Sequence, residues 1–143
     1  MASINPYLNF KGNAEEAFNF YKSVFGGEFA GLQRFKDMPD GAKMAEEDSN
    51  KIMHISLPIG KGNILMASDV LGYMGENFIE GNNFHLCISP DSEEEAKRLY
   101  EELSAGGEKT MPLEKAFWGA YFGMLVDKFG VRWMISYDEN QQS

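Results

Sequence analysis

The sequence predicts an α+β fold made of two tandem βαβββ modules, and three observations predict it. Two amphipathic helical patterns recur 79 residues apart. A glycine-led apolar segment recurs 68 residues apart. Runs of β-branched and aromatic residues flank both helices in the same order. Such a repeat governs the whole architecture, because one unit of about 70 residues buries too little apolar surface to stand alone.

In chain order, residues 6–10 read as the first strand. Asn13, with Glu16 three positions on, reads as a capped helix start, and Ala17, Phe20, Tyr21 and Val24 follow as its apolar stripe. Gly26 and Gly27 supply the stop. Residues 28–35, 51–59 and 63–68 complete the first module. Between them, residues 36–50 are polar, contain Pro39 and Gly41, and are expected to form a long exposed loop. This loop accounts for the excess length of the first half, since the two offsets differ. Residues 70–83, with Gly72, Gly75 and Gly81, form the connector.

The second module opens with a strand at 84–89. Ser92, Glu95 and the stripe Ala96, Leu99, Tyr100, Leu103 repeat the helix signature, and Gly106 and Gly107 stop it. The acidic run from Glu93 to Glu95 is a solvated first turn. Strands are expected at 109–113, 119–126 and 131–137. The chain is thus one domain over 1–143, with modules at 4–69 and 84–137 joined by 70–83.

Composition narrows the function. The 143 residues carry 13 Lys and Arg against 22 Asp and Glu, a net charge of −9. A surface of this sign repels phosphate backbones and anionic lipid, so neither nucleic acid nor membrane is an expected partner. No apolar run reaches the roughly 20 residues of a bilayer span, and residues 1–11 lack a secretory core. The single cysteine, Cys87, excludes an intrachain disulfide and a cysteine zinc cage. A cytoplasmic protein is expected. The pair Gly60 and Gly62 lacks phosphate-loop spacing, and no serine elbow or Cys–His nucleophile pattern is visible.

The twice-repeated unit resembles the vicinal oxygen chelate superfamily, which includes glyoxalase I, extradiol dioxygenases and bleomycin-resistance proteins. Within it the chain is similar to the PhnB-like branch, also called demethylubiquinone methyltransferase-like. The resemblance rests on Pro6 to Phe10, Glu15 to Ala17, Phe20-Tyr21, Phe25 to Glu28 and Ile64 to Asp69. It continues through Phe117 to Gly123, Asp127 to Gly130 and Trp133 to Ile135. It implies curved mixed sheets around a cup, helices outside, and, in the enzymes, a divalent metal held by a His on the first strand of each half and a Glu on the last. The methyltransferase label is set aside, because Gly26 and Gly27 follow a helix rather than a first strand.

That ligand set is largely missing. His85 matches the second-half His, while Pro6 or Tyr7 stands at its first-half counterpart. In the family pattern Asp127 and Gly130 precede a Glu four residues on; here that residue is Met134, and the 68 offset leads back to Met66. Thioether sulfur is a poor ligand for hard divalent ions. No cofactor is therefore expected. The alternative is a shifted metal site around His54 and His85, with Asp69 or Tyr7, serving a lyase, isomerase or dioxygenase. Either imidazole is also a candidate general base.

The implied cup would be lined by Tyr7, His54, Met66, His85, Phe117, Trp118, Tyr121 and Met134, with Phe122 beside them. Methionines adapt and aromatics stack, as an organic ligand requires. Alternation turns Trp133 away if Met134 points inward. The small residue after Trp118 allows close backbone approach at Gly119, or marks a bulge where the strand begins. The acidic field favours neutral or cationic ligands. The leading expectation is a binding protein that encloses an organic ligand without bond making. The rivals are the metal-dependent enzyme and a structural protein with a filled cup. By family analogy a homodimer is expected, with Tyr73, Phe78 and Phe117 as exposed aromatics.

Overall fold

The computed structural model describes residues 2–39, 45–60, 62–72 and 77–138. The elements run β1 (Tyr7–Phe10), α1 (Ala14–Phe25), β2 (Gly31–Arg34), α2 (Glu46–Ser49), β3 (Ile52–Ile59) and β4 (Asn63–Asp69), then β5 (Leu86–Ile88), α3 (Glu93–Ser104), β6 (Glu108–Lys115), β7 (Tyr121–Val126) and β8 (Arg132–Tyr137). The chain divides into two compact units, Met1–Ile79 and Glu80–Ser143. Each holds an open four-stranded sheet, ordered β1-β4-β3-β2 in the first and β5-β8-β7-β6 in the second. In both, the first strand runs parallel to the last and the other contacts are antiparallel. The two βαβββ modules read from the sequence are present. Within 36–50, a 3-10 turn at Phe35–Asp37 and the one-turn α2 replace part of the expected loop. Residues 40–44, Tyr73 and Gly75 lie outside the described residues.

In the first unit, strand alternation sends Leu8, Phe10, Ile55, Leu57, Leu65 and Ala67 to a buried face. Helix α1 covers that face with Ala14, Ala17, Phe18, Tyr21 and Val24. Phe18 lies edge-on to Phe10 at 6.5 Å and to Tyr21 at 5.5 Å. The stripe begins one turn earlier than the sequence suggested, so Phe18 occupies the core and Phe20 is half-buried.

The helix start differs from expectation as well. The Asn13 side chain makes no capping bond. Asp69, 2% exposed at the end of β4, takes that role. Its Oδ1 accepts the amides of Gly12 (3.0 Å) and Ala14 (2.9 Å), and its Oδ2 accepts that of Ile52 (2.9 Å). Asp69 is therefore committed to backbone on the helix side and is not a metal partner for His54. On the rim, Arg34 grips Glu15 through two bonds of 3.0 and 2.7 Å, tying β2 to α1. The Arg34 guanidinium, chiefly by hydrogen bonding, holds the Glu15 carboxyl below its usual range.

In the second unit, α3 buries Ala96, Leu99, Tyr100 and Leu103 as expected. The Ser92 hydroxyl accepts the Glu95 amide at 3.0 Å, and Glu95 reaches back to the Asp91 amide at 2.9 Å. Buried Asp127 closes the β7–β8 turn by accepting the amides of Phe129 and Val131 and the Trp133 indole N–H at 2.8 Å. Helix α3 is capped at its C-terminus by Ala105, ahead of Gly106 and Gly107. Gly107 is required by proximity: a Cβ there would lie 2.2 Å from the Val126 carbonyl oxygen. Strand β6 bulges twice against β7, between Lys109 and Met111 and between Met111 and Glu114. Among the described residues, no helix is long and apolar enough to cross a membrane.

The repeat is not one rigid offset. Helices α1 and α3 begin 79 residues apart, at Ala14 and Glu93. The later strands keep the 68 offset, since Ser56 pairs Met66 as Met124 pairs Met134. On the first strands, Tyr7 pairs Met66 and Cys87 pairs Met134. Tyr7 thus corresponds to Cys87, one step away from the expected match of Pro6 with His85.

Replacing Asp69 by Ala orphans three backbone donors, at about 1–3 kcal/mol for each buried one. Urea unfolding should show a loss of about 3–5 kcal/mol, and a loss below about 1 kcal/mol would refute this role. Gly107→Ala should cost about 2–3 kcal/mol, because the extra carbon must displace backbone rather than a flexible side chain. An unchanged melting temperature would show that the turn has room.

Candidate functional site

The helices cover one face of each sheet, and the candidate residues lie on the other. In the first unit the register sets Tyr7, Met66, Ser56 and Gly31 in one cross-strand row. Asn9 and Ser68 share the next row of the same face, toward which His54, opposite Gln33, is drawn by the Tyr7 hydroxyl. Tyr7 and His54 stand with ring centroids 5.8 Å apart. The Tyr7 hydroxyl meets His54 Nδ1 at 3.3 Å and also the Ser68 hydroxyl.

The order of protons in this cluster can be deduced. Ser68 donates its one hydroxyl proton to the Met53 carbonyl at 2.7 Å. Its oxygen must then accept from Tyr7, and Tyr7 in turn accepts from His54 Nδ1–H. That chain fixes the neutral tautomer and leaves the lone pair on His54 Nε2. Tyr7, His54 and Met66 are thus brought onto one face. Ser68 is the member that sequence reasoning missed, although it stands two residues beyond Met66, where alternation returns to the same side.

In the second unit the corresponding face carries Cys87, Met134, Met124 and Met111 in one row across four strands. Phe122 and Ser136 are paired in the next row. Burial pushes the Cys87 thiol up from its usual range, which disfavours free thiolate. Phe117 and Trp118 form the tip of the β6–β7 hairpin, edge to face at 5.0 Å, and Trp118 leans on Phe122 at 5.6 Å. Gly119 closes this hairpin with φ +99°, and no atom lies within 4 Å of a Cβ built there. Its need for glycine is the left-handed backbone. His85 is half-buried, just ahead of β5.

Tyr121 is set apart from these residues. It pairs with Tyr137 on the helix side. Its hydroxyl, with Lys97, draws the Glu93 carboxyl on the first turn of α3 below its usual range. Trp133 likewise points to the core, held by Asp127. Phe78, expected to be exposed, is half-buried beneath the Lys11 ammonium at 5.6 Å.

Met66 stands beside Tyr7, and Met134 beside Cys87. Within either unit, a thioether with a phenol or with a thiol does not suit a hard divalent ion. Among the described residues, no three His, Cys, Asp or Glu side chains converge as a metal-binding group.

The comparisons with known proteins agree with this architecture. The chain matches the family described as 3-demethylubiquinone-9 3-methyltransferase over residues 2–136. It is 31% identical to Protein YjdN of Escherichia coli strain K12 over 146 residues, covering 96% of this chain and 97% of that one. Protein PA1353 from Pseudomonas aeruginosa superposes with a TM-score of 0.84 at 38% identity, over 96% of this chain and 98% of that one. The PhnB protein from Bacillus cereus does so with a TM-score of 0.76 at 29% identity, over 95% and 99%. A glyoxalase-related enzyme from Fulvimarina pelagi shares the fold, with a TM-score of 0.63 at 17% identity over 96% and 89%. The chain belongs to the PhnB-type, 3-demethylubiquinone-9 3-methyltransferase-like family, and it shares the fold of a glyoxalase-related enzyme.

Proposed function

We propose that this chain binds a small organic molecule on the sheet faces its helices leave bare, without the divalent metal used by enzymes of the superfamily. One observation carries the reading: the row positions of Met66 and Met134, where carboxylates would hold a metal, bear thioethers on open faces otherwise furnished with Tyr7, Met124 and Phe122. Thioether and aromatic groups supply adaptable, polarisable contact area, which suits an organic ligand and not a hard cation. Phe117, 98% exposed beside Trp118, supports a further contact surface, and we infer a cytoplasmic homodimer.

A second reading draws on the hydrogen-bonded chain behind His54. An imidazole with Nδ1 committed to Tyr7 presents Nε2 as a base of fixed direction, the arrangement a lyase or isomerase would use. Loss of turnover in His54→Gln with ligand affinity retained would favour that reading over binding alone.

Untagged protein should carry far less than one equivalent of zinc, iron, manganese or nickel by elemental analysis. A thermal-shift screen of neutral, cationic and anionic organic compounds should produce hits. A ligand at a hundred times its Kd stabilises the native state by about 2.7 kcal/mol, a rise of roughly 5–10 °C for a chain of this size. Stoichiometric metal that disappears in His85→Ala, or silence across the screen, would overturn the proposal. Sedimentation should show a species of twice the 16.1 kDa chain mass, and monomer alone at high concentration would remove the dimer.

A further inference from the structure

Of the chain's arginines, Arg34 is bonded to Glu15 and the Asn50 carbonyl, and Arg98 to Glu102. Arg132 differs. Its Nε is shut off from solvent with no hydrogen-bond partner, and no ion pair with it occurs among the described residues. Arg132 is half-buried as a residue, so its Nε is the part withdrawn from water, and in a chain with 22 carboxylates such a donor ordinarily finds an acceptor. Local rules of this kind are broken chiefly at functional sites.

The position indicates what that is. Arg132 opens β8 opposite Val126 and lies two residues from Met134, on the face away from buried Trp133 and Ile135. Along the same face come Met124 and Met134, then Phe122 opposite Ser136 with Trp118 against it. From Arg132 to Ser136 is four strand residues, about 13 Å. One end of this strip offers a guanidinium and its middle offers sulfur and aromatic carbon, while two β6 carboxylates border it, Glu108 opposite Val126 and Glu114 opposite Phe122. The β6 lysines do not add to the positive end: Lys109 and Lys115 pair with Leu125 and Tyr121, on the helix side. A single guanidinium suits a monoanionic carboxylate, whereas a phosphate dianion draws several cations.

We propose that Arg132 anchors the carboxylate of an organic acid whose apolar or aromatic body extends along β8 toward Phe122. The proposal rests on the small-molecule reading above and names the ligand class. It also runs against the protein's overall charge, Glu108 two strands away in the same row included, because a donor in direct contact outweighs carboxylates farther off.

The test is calorimetric titration of the full chain with 4-phenylbutyrate and indole-3-butyrate, each beside its methyl ester, with inorganic phosphate as a third arm. The acids should bind about ten- to a hundredfold more tightly than their esters, and Arg132→Met should erase that preference while leaving ester binding intact. Without ligand, Arg132→Met should melt higher than the native chain, because it removes the unsatisfied donor; a purely structural arginine would give a lower value. The proposal is overturned by acids that bind Arg132→Met as well as the native chain, by acids that do not bind at about millimolar concentration, or by phosphate binding in their place. Esters that bind as well as acids defeat the Arg132 anchor but keep the small-molecule reading. Silence toward both, with silence in the thermal screen, defeats both.

Discussion

A single buried carboxylate sets the geometry of the first unit. Asp69 joins the end of β4, the entry to α1 and the beginning of β3 through three backbone amides. Because Asp69 points inward, alternation turns Ser68 and Met66 outward, and the parallel register of β1 brings Tyr7 beside them. The cluster of Tyr7, His54 and Ser68 is therefore a consequence of how the opposite face is tied down. Asp127 does comparable work in the second unit by a different route, closing the β7–β8 turn and fixing Trp133, which leaves Met134 on the bare side.

Much of this was legible in the chain itself, because caps, stripes and glycine stops are local signals. Ser92 caps α3 and the four-residue stripe behind it is buried, as its spacing suggested. What escaped was long-range. Asp69 is 55 residues from the amide it caps at Ala14, and Asn13 at the helix entrance concealed it. Phe18 and Phe20 compete for one core place, and only the packed sheet decides between them. The match of Pro6 with His85 failed for a similar reason: helices and first strands obey offsets one residue apart, and a one-residue slip reverses a strand's faces. That slip makes Cys87 rather than Leu86 the counterpart of Tyr7.

The site candidates divide along the same line. Met66 and Met134 were readable from the spacing of Asp127 and Gly130, and their shared row role follows from register. Arg132 was not readable, since the sequence offers many carboxylates and only three-dimensional placement shows that none among the described residues pairs with it. The donor chain from His54 through Tyr7 to Ser68 was equally hidden, because it assembles residues from three strands.

The outer strand β6 holds a different lesson. A free strand edge is a template for neighbouring molecules, yet this one is interrupted twice by bulges, contains Pro112 and alternates acidic and basic side chains at both ends. No long, flat row of amides is left for another chain to extend. Helix α3 adds to this by bonding its Tyr100 hydroxyl to the Met111 carbonyl and its Glu101 to Lys109, so the flank offers little for a neighbouring strand to extend.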